Sequence, residues 1–334
     1  MFGLECDEAQ LLISKQRVLV TGASGFIGRA LCTEAVSRGI ALRGTTRVLG
    51  SLPNCVENIA LSVIDGHTYW QDVLTGCEVV VHLVARVHVM ADTTADPIAE
   101  FRRVNVQGTL NLARQSALMG VGRFVFISSI KVNGEATQLG RPFTADDAPA
   151  PLDAYGASKM EAEHGLREIA MQTGMEVVII RPPLVYGPGV KANFAAMMRW
   201  LRYGVPLPLG AISNQRSLVS LDNLIDLILT CITHPAAANQ TFLVSDGEDV
   251  STTELLRRMG QALGRPARLI PVPERWLQLA AAMVGKPDVA QRLCESLQVD
   301  IEKTRNLLGW APLMSLDQGL KRTVGHGSPL QAQV

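Results

Sequence analysis

Short apolar runs alternate with helical patterns along the first half of the chain. Six runs are rich in β-branched residues and mostly lack the apolar–polar alternation of a half-exposed strand, which predicts parallel strands buried on both faces. They cover residues 17–21, 41–45, 59–64, 79–84, 123–128 and 176–181. Helical patterns occupy residues 26–38, 98–119 and 153–173. This order predicts an α/β fold with a doubly wound parallel sheet.

The pattern changes after Arg181, where prolines and glycines interrupt the chain repeatedly. The second half therefore reads as a smaller, mainly helical lobe that returns once to the sheet. The predicted division is a sheet domain over residues 14–181 with a return at about 215–245, a substrate lobe over 182–214 and 246–325, and a flexible tail over 326–334.

Composition narrows the classes of function. The 334 residues carry 31 Lys and Arg against 31 Asp and Glu, so no net charge attracts nucleic acid or an anionic membrane. The apolar runs are shorter than the about 20 residues that span a bilayer, and residues 1–16 lack the basic start of a signal peptide. Six scattered cysteines match neither a zinc site nor a disulfide framework. We expect a cytoplasmic protein without a metal, a nucleic-acid partner or membrane insertion.

The first predicted strand leads directly into a glycine-rich loop, Thr21-Gly22-Ala23-Ser24-Gly25-Phe26-Ile27-Gly28, and then into a helix. Glycines at such a turn let the backbone approach a pyrophosphate, and the helix N-terminus supplies N–H donors. A dinucleotide cofactor is therefore predicted here. Its predicted contacts in this loop are Gly22, Ser24, Gly25, Phe26, Ile27 and Gly28.

The end of the second predicted strand bears on the choice of dinucleotide. NAD-binding folds usually place an acid there for the ribose hydroxyl, whereas this chain has two threonines between Arg43 and Arg47. NADP(H), with its 2′-phosphate near Arg47, is favoured over NAD(H), which stays possible. Alternatively, both arginines are solvated charges. Asp65, after the third strand, is either an acceptor for the adenine amino group or a loop cap.

Tyr155 and Lys159 stand four residues apart at the start of a predicted helix, so their side chains share one face. A cation beside a phenol lowers its pKa, which would make Tyr155 a usable proton donor or acceptor. Ser128 and Ser129 end the fifth strand, at the edge where ligands bind, and could donate to a developing oxyanion. His82, in the fourth strand, is interpreted as a structural histidine.

These motifs resemble the extended short-chain dehydrogenase/reductases of the nucleotide-sugar epimerase/dehydratase group, which have a Rossmann sheet. The resemblance covers nearly the whole chain. It is carried by the segments TGASGFIG, VVVHLVA, VNVQGTLNL, FISSIKVNG, YGASK, RPPLVYGPG, RSLVSLDNL and VDIEKTRNLLGWAP.

The resemblance implies roles for single residues and a homodimer formed through helices at about 98–119 and 153–173. The implied catalytic residues are Ser129, Tyr155, Lys159 and Asn105. Further implied cofactor contacts are Arg47, Asp65, Ala85, Tyr155, Lys159 and Pro182. The implied substrate contacts are Ser129, Lys131, Asn193, Arg216 and Arg292, although Arg292 reads equally well as a helix-surface residue.

The same resemblance bears on the reaction. Dehydratases of the group carry an Asp and a Glu where this chain has Ile130 and Lys131, so elimination lacks its acid and base. The favoured reading is NADPH-dependent reduction of a UDP-2-acetamido-2,6-dideoxyhexos-4-ulose to a UDP-N-acetyl-6-deoxyhexosamine for surface polysaccharide. Two alternatives stay open: an NAD-dependent UDP-hexose 4-epimerase and a non-catalytic dinucleotide sensor.

Overall fold

The computed structural model describes residues 17–53, 56–87, 96–283, 285 and 287–325. The start of the predicted sheet domain and the predicted tail at 326–334 lie outside them. No helix within the described ranges is long and apolar enough to cross a membrane.

Seven strands of the described residues form one parallel sheet in the order β3-β2-β1-β4-β5-β6-β9. Their bounds are β1 Arg17–Thr21, β2 Ala41–Thr46, β3 Glu57–Ala60, β4 Val79–His82, β5 Arg123–Ile127, β6 Glu176–Arg181 and β9 Thr241–Leu243. The predicted doubly wound sheet is confirmed. The third strand lies earlier in the chain than the predicted 59–64: it begins at Glu57, which pairs with Arg43, and its pairing ends at Ala60.

Helices cover both faces of the sheet and bury a separate apolar core on each. One face carries α1 (Phe26–Ser37) and α7 (Leu221–Thr233). The other carries α2 (Gln71–Leu74), α4 (Thr109–Leu118) and α5 (Ala154–Thr173). Because both faces are covered, central strands such as Val79–His82 are wholly buried, which explains their unbroken apolar sequence.

The helix predicted over residues 98–119 is divided into three parts. It begins as α3 (Pro97–Phe101), continues as a π-helical segment (Arg102–Gly108) and ends as α4. Turns of π-helix occur frequently at functional sites because they move one side chain out of the regular helical positions. Asn105 lies in this segment with its side chain buried.

The second half of the chain builds a small sheet and a helical lobe. Strands β7 (Leu184–Tyr186), β8 (Arg216–Ser220) and β10 (Asp249–Val250) form the small sheet. The other lobe helices are α6 Ala192–Arg202, α8 Thr252–Ala262, α9 Glu274–Met283, α10 Pro287–Cys294, α11 Glu302–Leu308 and α12 Leu316–Gly325. The chain rejoins the large sheet through β9, next to β6. Within 215–245, therefore, residues 216–220 pair in the small sheet and residues 241–243 in the large one.

The topology of the large sheet creates a crevice. Strand order reverses between β1 and β4, which are neighbours although β2 and β3 separate them in sequence. The loops that follow these strands diverge to opposite sides, so ligands of open α/β sheets bind at this carboxyl edge. The glycine loop follows β1, Ala85 follows β4, Ser129 follows β5 and Pro182 follows β6.

Gly28→Ala tests the close packing of the glycine loop on α1. A Cβ at residue 28 would lie 2.3 Å from the Gly22 carbonyl oxygen, a backbone atom that cannot rotate away. We expect overpacking to lower the free energy of unfolding by about 1–3 kcal/mol and to abolish dinucleotide binding. Denaturant unfolding and cofactor titration measure both effects.

Gly122→Ala is the matched control, because the nearest atom to its Cβ would be 3.8 Å away and its φ is not positive. It should bind dinucleotide like the wild type. Unchanged dinucleotide affinity in Gly28→Ala would contradict the close approach.

Candidate active site

The glycine loop has the backbone shape of a phosphate cradle. Gly22 has a positive φ of 72°, and the amide of Gly25 donates to its carbonyl over 2.9 Å. Gly25 also precedes the first turn of α1, and no side chain caps that turn. The loop therefore leaves space for an anion against its backbone, and the N–H groups of the uncapped first turn can donate to that anion.

These features fit the pyrophosphate of a dinucleotide. Ser24 lies on the loop, and Phe26 and Ile27 form the first turn of α1, all three half-buried. Ala85 and Pro182 line the same edge after β4 and β6; the Pro182 carbonyl accepts from the amide of Ile130 over 3.0 Å.

The two arginines near the end of β2 lie in different environments. Arg43 is buried, donates to the carbonyls of Val73 and Thr75 and forms an ion pair with Glu57 at 2.9 Å. It is therefore neither a solvated charge nor available to a phosphate. Arg47 is exposed at the strand end.

Asp65 serves as a loop cap. Its carboxylate accepts from the amide of His67 over 2.9 Å and lies 3.3 Å from the Arg103 guanidinium. The hydrogen bond from His67 and the contacts with Thr68 and Arg103 lower the pKa of Asp65. Because the carboxylate already has these partners, the loop-cap alternative is the one that the geometry favours.

Tyr155 lies in the first turn of α5. Asp153 caps this helix by accepting from the amide of Gly156 over 2.7 Å, which fixes the start of the helix and the position of the half-buried Tyr155. The expected net lowering of the Tyr155 pKa below that of a free phenol is wrong. Burial, with the Asp153 carboxylate nearby, instead raises the pKa of Tyr155 to about 12.

Lys159, one turn later, is fully buried, and its ammonium lies 3.9 Å from the centre of the Phe126 ring. Burial lowers the pKa of Lys159 to about 7, although the carboxylate of Glu163 acts in the opposite direction. Desolvation thus dominates the charge state of both groups, whereas the sequence suggested only their mutual attraction.

An ion pair joins the segments that carry Ser129 and Tyr155. Lys131, two residues after Ser129, contacts the carboxylates of Asp153 and Glu135. The Ser129 hydroxyl accepts from the Lys131 amide over 3.3 Å, so its own proton can be donated elsewhere. Lys131 therefore joins the serine segment to the start of α5.

Asn105 holds the loop after β4. Its amide group donates to the Arg86 carbonyl and to the Ser158 hydroxyl, and its carbonyl accepts from the Arg86 amide over 2.7 Å. All of these partners belong to the protein. The side chain thus ties the π-helical segment to α5 beside the crevice.

The lobe brings two of the predicted substrate contacts together. The Arg216 guanidinium donates to the carbonyls of Arg292 and Glu295 over 2.9 and 3.0 Å, at the end of α10. Burial lowers the pKa of Arg216. Arg292 is exposed on that helix. The side chain of Asn193 lies outside the described part of the structure.

A family model described as the NAD dependent epimerase/dehydratase family matches residues 18–245, which is more than half of the chain. The chain belongs to the NAD dependent epimerase/dehydratase family. A Vibrio cholerae protein named UDP-glucose 4-epimerase is 48% identical over 312 residues, covering 92% of this chain and 94% of that protein.

Solved structures agree with this family at the level of fold. A UDP-glucose 4-epimerase from Thermotoga maritima with UDP-glucose superposes with a TM-score of 0.74 at 23% identity, covering 93% of this chain and 98% of that one. A UDP-glucuronic acid 4-epimerase from Bacillus cereus in complex with NAD gives 0.74 at 20% identity over 93% and 98%.

This member of the epimerase/dehydratase family contains a buried carboxylate that sequence reasoning missed. Glu163 accepts from the Ser128 hydroxyl over 2.6 Å and forms a bidentate ion pair with Arg181 at 2.9 and 2.6 Å. Arg181 also donates to the Asn133 amide oxygen over 2.9 Å. One signal could have revealed it, since Glu163 follows Lys159 by four residues and shares its helix face.

His82 is structural, in agreement with its interpretation from the sequence. Its ring nitrogens lie 2.7 and 3.0 Å from the hydroxyls of Thr21 and Thr109, and the ring stacks on Phe126. Burial, together with the nearby Lys159 charge, lowers the pKa of His82 to about 3. The ring is therefore neutral at physiological pH.

His82→Gln tests this burial through the pH dependence of stability. Unfolded His82 takes up a proton as the pH falls below about 6.5, whereas the folded form stays neutral down to about 3. The histidine therefore lowers the free energy of unfolding as the pH falls through that window, by about 1.4 kcal/mol per pH unit. The free energies of unfolding of the wild type and the variant, measured in urea at a series of pH values, should differ with this slope.

His164→Gln provides the control, because His164 is exposed on α5. Its difference from the wild type should vary little over the same range. A flat difference for His82→Gln would show that the His82 ring titrates normally in the folded protein.

Proposed function

We propose that this protein is an NAD-dependent 4-epimerase of UDP-hexoses, such as UDP-glucose or UDP-N-acetylglucosamine. The observation that carries the proposal is the match of 48% identity to a UDP-glucose 4-epimerase along 92% of the chain. The residues of the crevice suit this chemistry, because Ser129 follows β5 directly and Tyr155 begins the next long helix, two segments that the Lys131–Asp153 ion pair joins. A non-catalytic sensor would not need them.

The proton at the sugar O4 is assigned to Tyr155. Oxidation at C4 requires a base for the O4 proton, and reduction requires an acid to return it, so one phenol serves both directions. NAD, when bound, supplies the hydride acceptor and donor. Ser129 hydrogen-bonds O4 and orients it, and the Lys159 ammonium is assigned to offset in part the burial that raises the pKa of Tyr155.

The substrate diphosphate is assigned to the lobe. Arg216 and Arg292 meet at the end of α10, where one guanidinium bonds the backbone of the other residue. A diphosphate at this place would complete the pairing of both arginines. Lys131 is less suited to an anion, because two carboxylates already neutralise it.

A second function is favoured by the end of β2. No acid follows this strand, and Arg47 is exposed beside Thr45 and Thr46, a combination suited to a 2′-phosphate. This observation supports the NADPH-dependent 4-keto reductase predicted from the sequence. Both functions use Tyr155 in the same way, so the cofactor distinguishes them.

The two functions predict different contents of the freshly purified protein. An epimerase should release NAD on denaturation and should interconvert UDP-glucose and UDP-galactose without added dinucleotide. Tyr155→Phe should keep its NAD but lower turnover by about 10²- to 10⁴-fold, because only the transferable proton is lost. A protein without bound NAD that oxidises NADPH with a UDP-4-keto sugar would establish the reductase instead.

Arg216→Ala tests the substrate site. Losing a charge-assisted contact of about 1.5–3 kcal/mol should raise the KM for the UDP-sugar roughly 10- to 100-fold while NAD binding is unchanged. Arg265→Ala is the control, since Arg265 also donates to a backbone carbonyl of the lobe, that of Arg202. An unchanged KM in Arg216→Ala would locate the diphosphate elsewhere.

A homodimer through α3–α4 and α5 is part of the proposal. Large apolar side chains are exposed along these helices: Ile98, Leu118, Met119 and Met171. Pairing the helices with those of a second copy would remove this apolar surface from water.

A further inference from the structure

Glu163 is the most deeply buried carboxylate of α5, and neither the proton transfer nor the substrate site assigned so far uses it. Glu163 is fully buried in α5, one turn beyond Lys159. A buried carboxylate costs folding free energy unless charge and hydrogen bonds compensate it. Here Arg181 supplies the charge, and Ser128 supplies a further hydrogen bond.

Glu163 and its two main partners come from three different elements. Ser128 follows β5 and immediately precedes Ser129. Arg181 ends β6 and immediately precedes Pro182. Glu163 itself shares the helix face of Lys159. One carboxylate therefore connects the residues that immediately precede Ser129 and Pro182 to the helix that carries Lys159.

We propose that Glu163 is a positioning residue for the hydride-transfer reaction, which holds Lys159 charged and fixes the helix that carries it relative to Ser129 and the edge of the cofactor crevice. The reaction named here rests on the proposed function, whereas the contacts of Glu163 with Ser128 and Arg181 do not. Glu163 touches neither substrate nor cofactor and acts only through its neighbours.

The surroundings of Lys159 explain why a fixed anion is needed. The groups near it are the neutral His82 ring from β4, the Phe126 ring from β5, and Tyr155 and Glu163 from its own helix. Arg181 from β6 and Arg167 from α5 also form ion pairs with Glu163. Among these groups, Glu163 is the anion that stabilises an ammonium at Lys159, whose burial favours the neutral amine.

Glu163→Gln keeps the shape of the side chain and removes its charge. NMR of isotopically labelled lysine side chains, with Lys159→Met to assign the signal, should show Lys159 losing its proton at lower pH than in the wild type. Because a neutral Lys159 would no longer offset the raised pKa of Tyr155, kcat should fall by up to about 100-fold. The KM for UDP-glucose should change little, because the lobe is untouched.

Three further variants separate positioning from general damage. Glu163→Asp retains the charge and should return the Lys159 titration toward that of the wild type. Ser128→Ala keeps the carboxylate and should leave the titration unchanged while kcat falls about tenfold, the effect of one hydrogen bond to a charged group. Glu161→Gln, on the same helix and paired with the exposed Arg102, should alter neither quantity.

The outcomes are distinct. A Lys159 titration that is the same in Glu163→Gln and the wild type would overturn the proposal, even if stability and kcat fell. If Glu163→Gln does not fold, wild-type turnover in Ser128→Ala would overturn it. The lysine titration needs no substrate. If the wild type leaves UDP-hexoses unchanged while Glu163→Gln shifts the Lys159 titration, only the proposed epimerase activity is refuted.

Discussion

The ion pair between Glu163 and Arg181 is the contact on which the geometry of the crevice depends. It joins α5, the helix that carries Tyr155 and Lys159, to the end of β6, and the hydroxyl of Ser128 adds the end of β5. Two ions buried this deeply would each be costly alone, and removing one partner of such a pair typically costs about 3–5 kcal/mol. The loops that carry Ser129 and Pro182 therefore begin from rigid, connected positions.

Burial then determines the chemistry of the neighbouring groups. Desolvation lowers the pKa of Lys159 to about 7 and that of His82 to about 3, and raises that of Tyr155 to about 12. In water the phenol and the amine would titrate close to each other, far above neutrality. A site that excludes water thus makes proton exchange at Tyr155 dependent on which charged groups lie beside it.

The lobe is organised by a different kind of contact. Arg216 begins β8 and bonds the last carbonyls of α10, so the small sheet and the helix that carries Arg292 are held together by one guanidinium. A positive charge at a helix C-terminus also interacts favourably with the helix dipole. The packing of the lobe therefore depends on the same side chain to which the proposed function assigns the substrate diphosphate.

The sequence alone determined the doubly wound sheet, the glycine loop and the Tyr155–Lys159 pair, because each depends on local periodicity or fixed spacing along the chain. The tertiary structure decided three further features: the environments of Arg43 and Arg47, the form of the helix over 98–119 and the acidity of Tyr155. Arg43 is buried by contacts with residues about 30 positions away, the helix becomes π-helical around Asn105, and burial raises the pKa of Tyr155. The Glu163 network joins residues up to 48 positions apart, as between Asn133 and Arg181, so only the packed fold could reveal it.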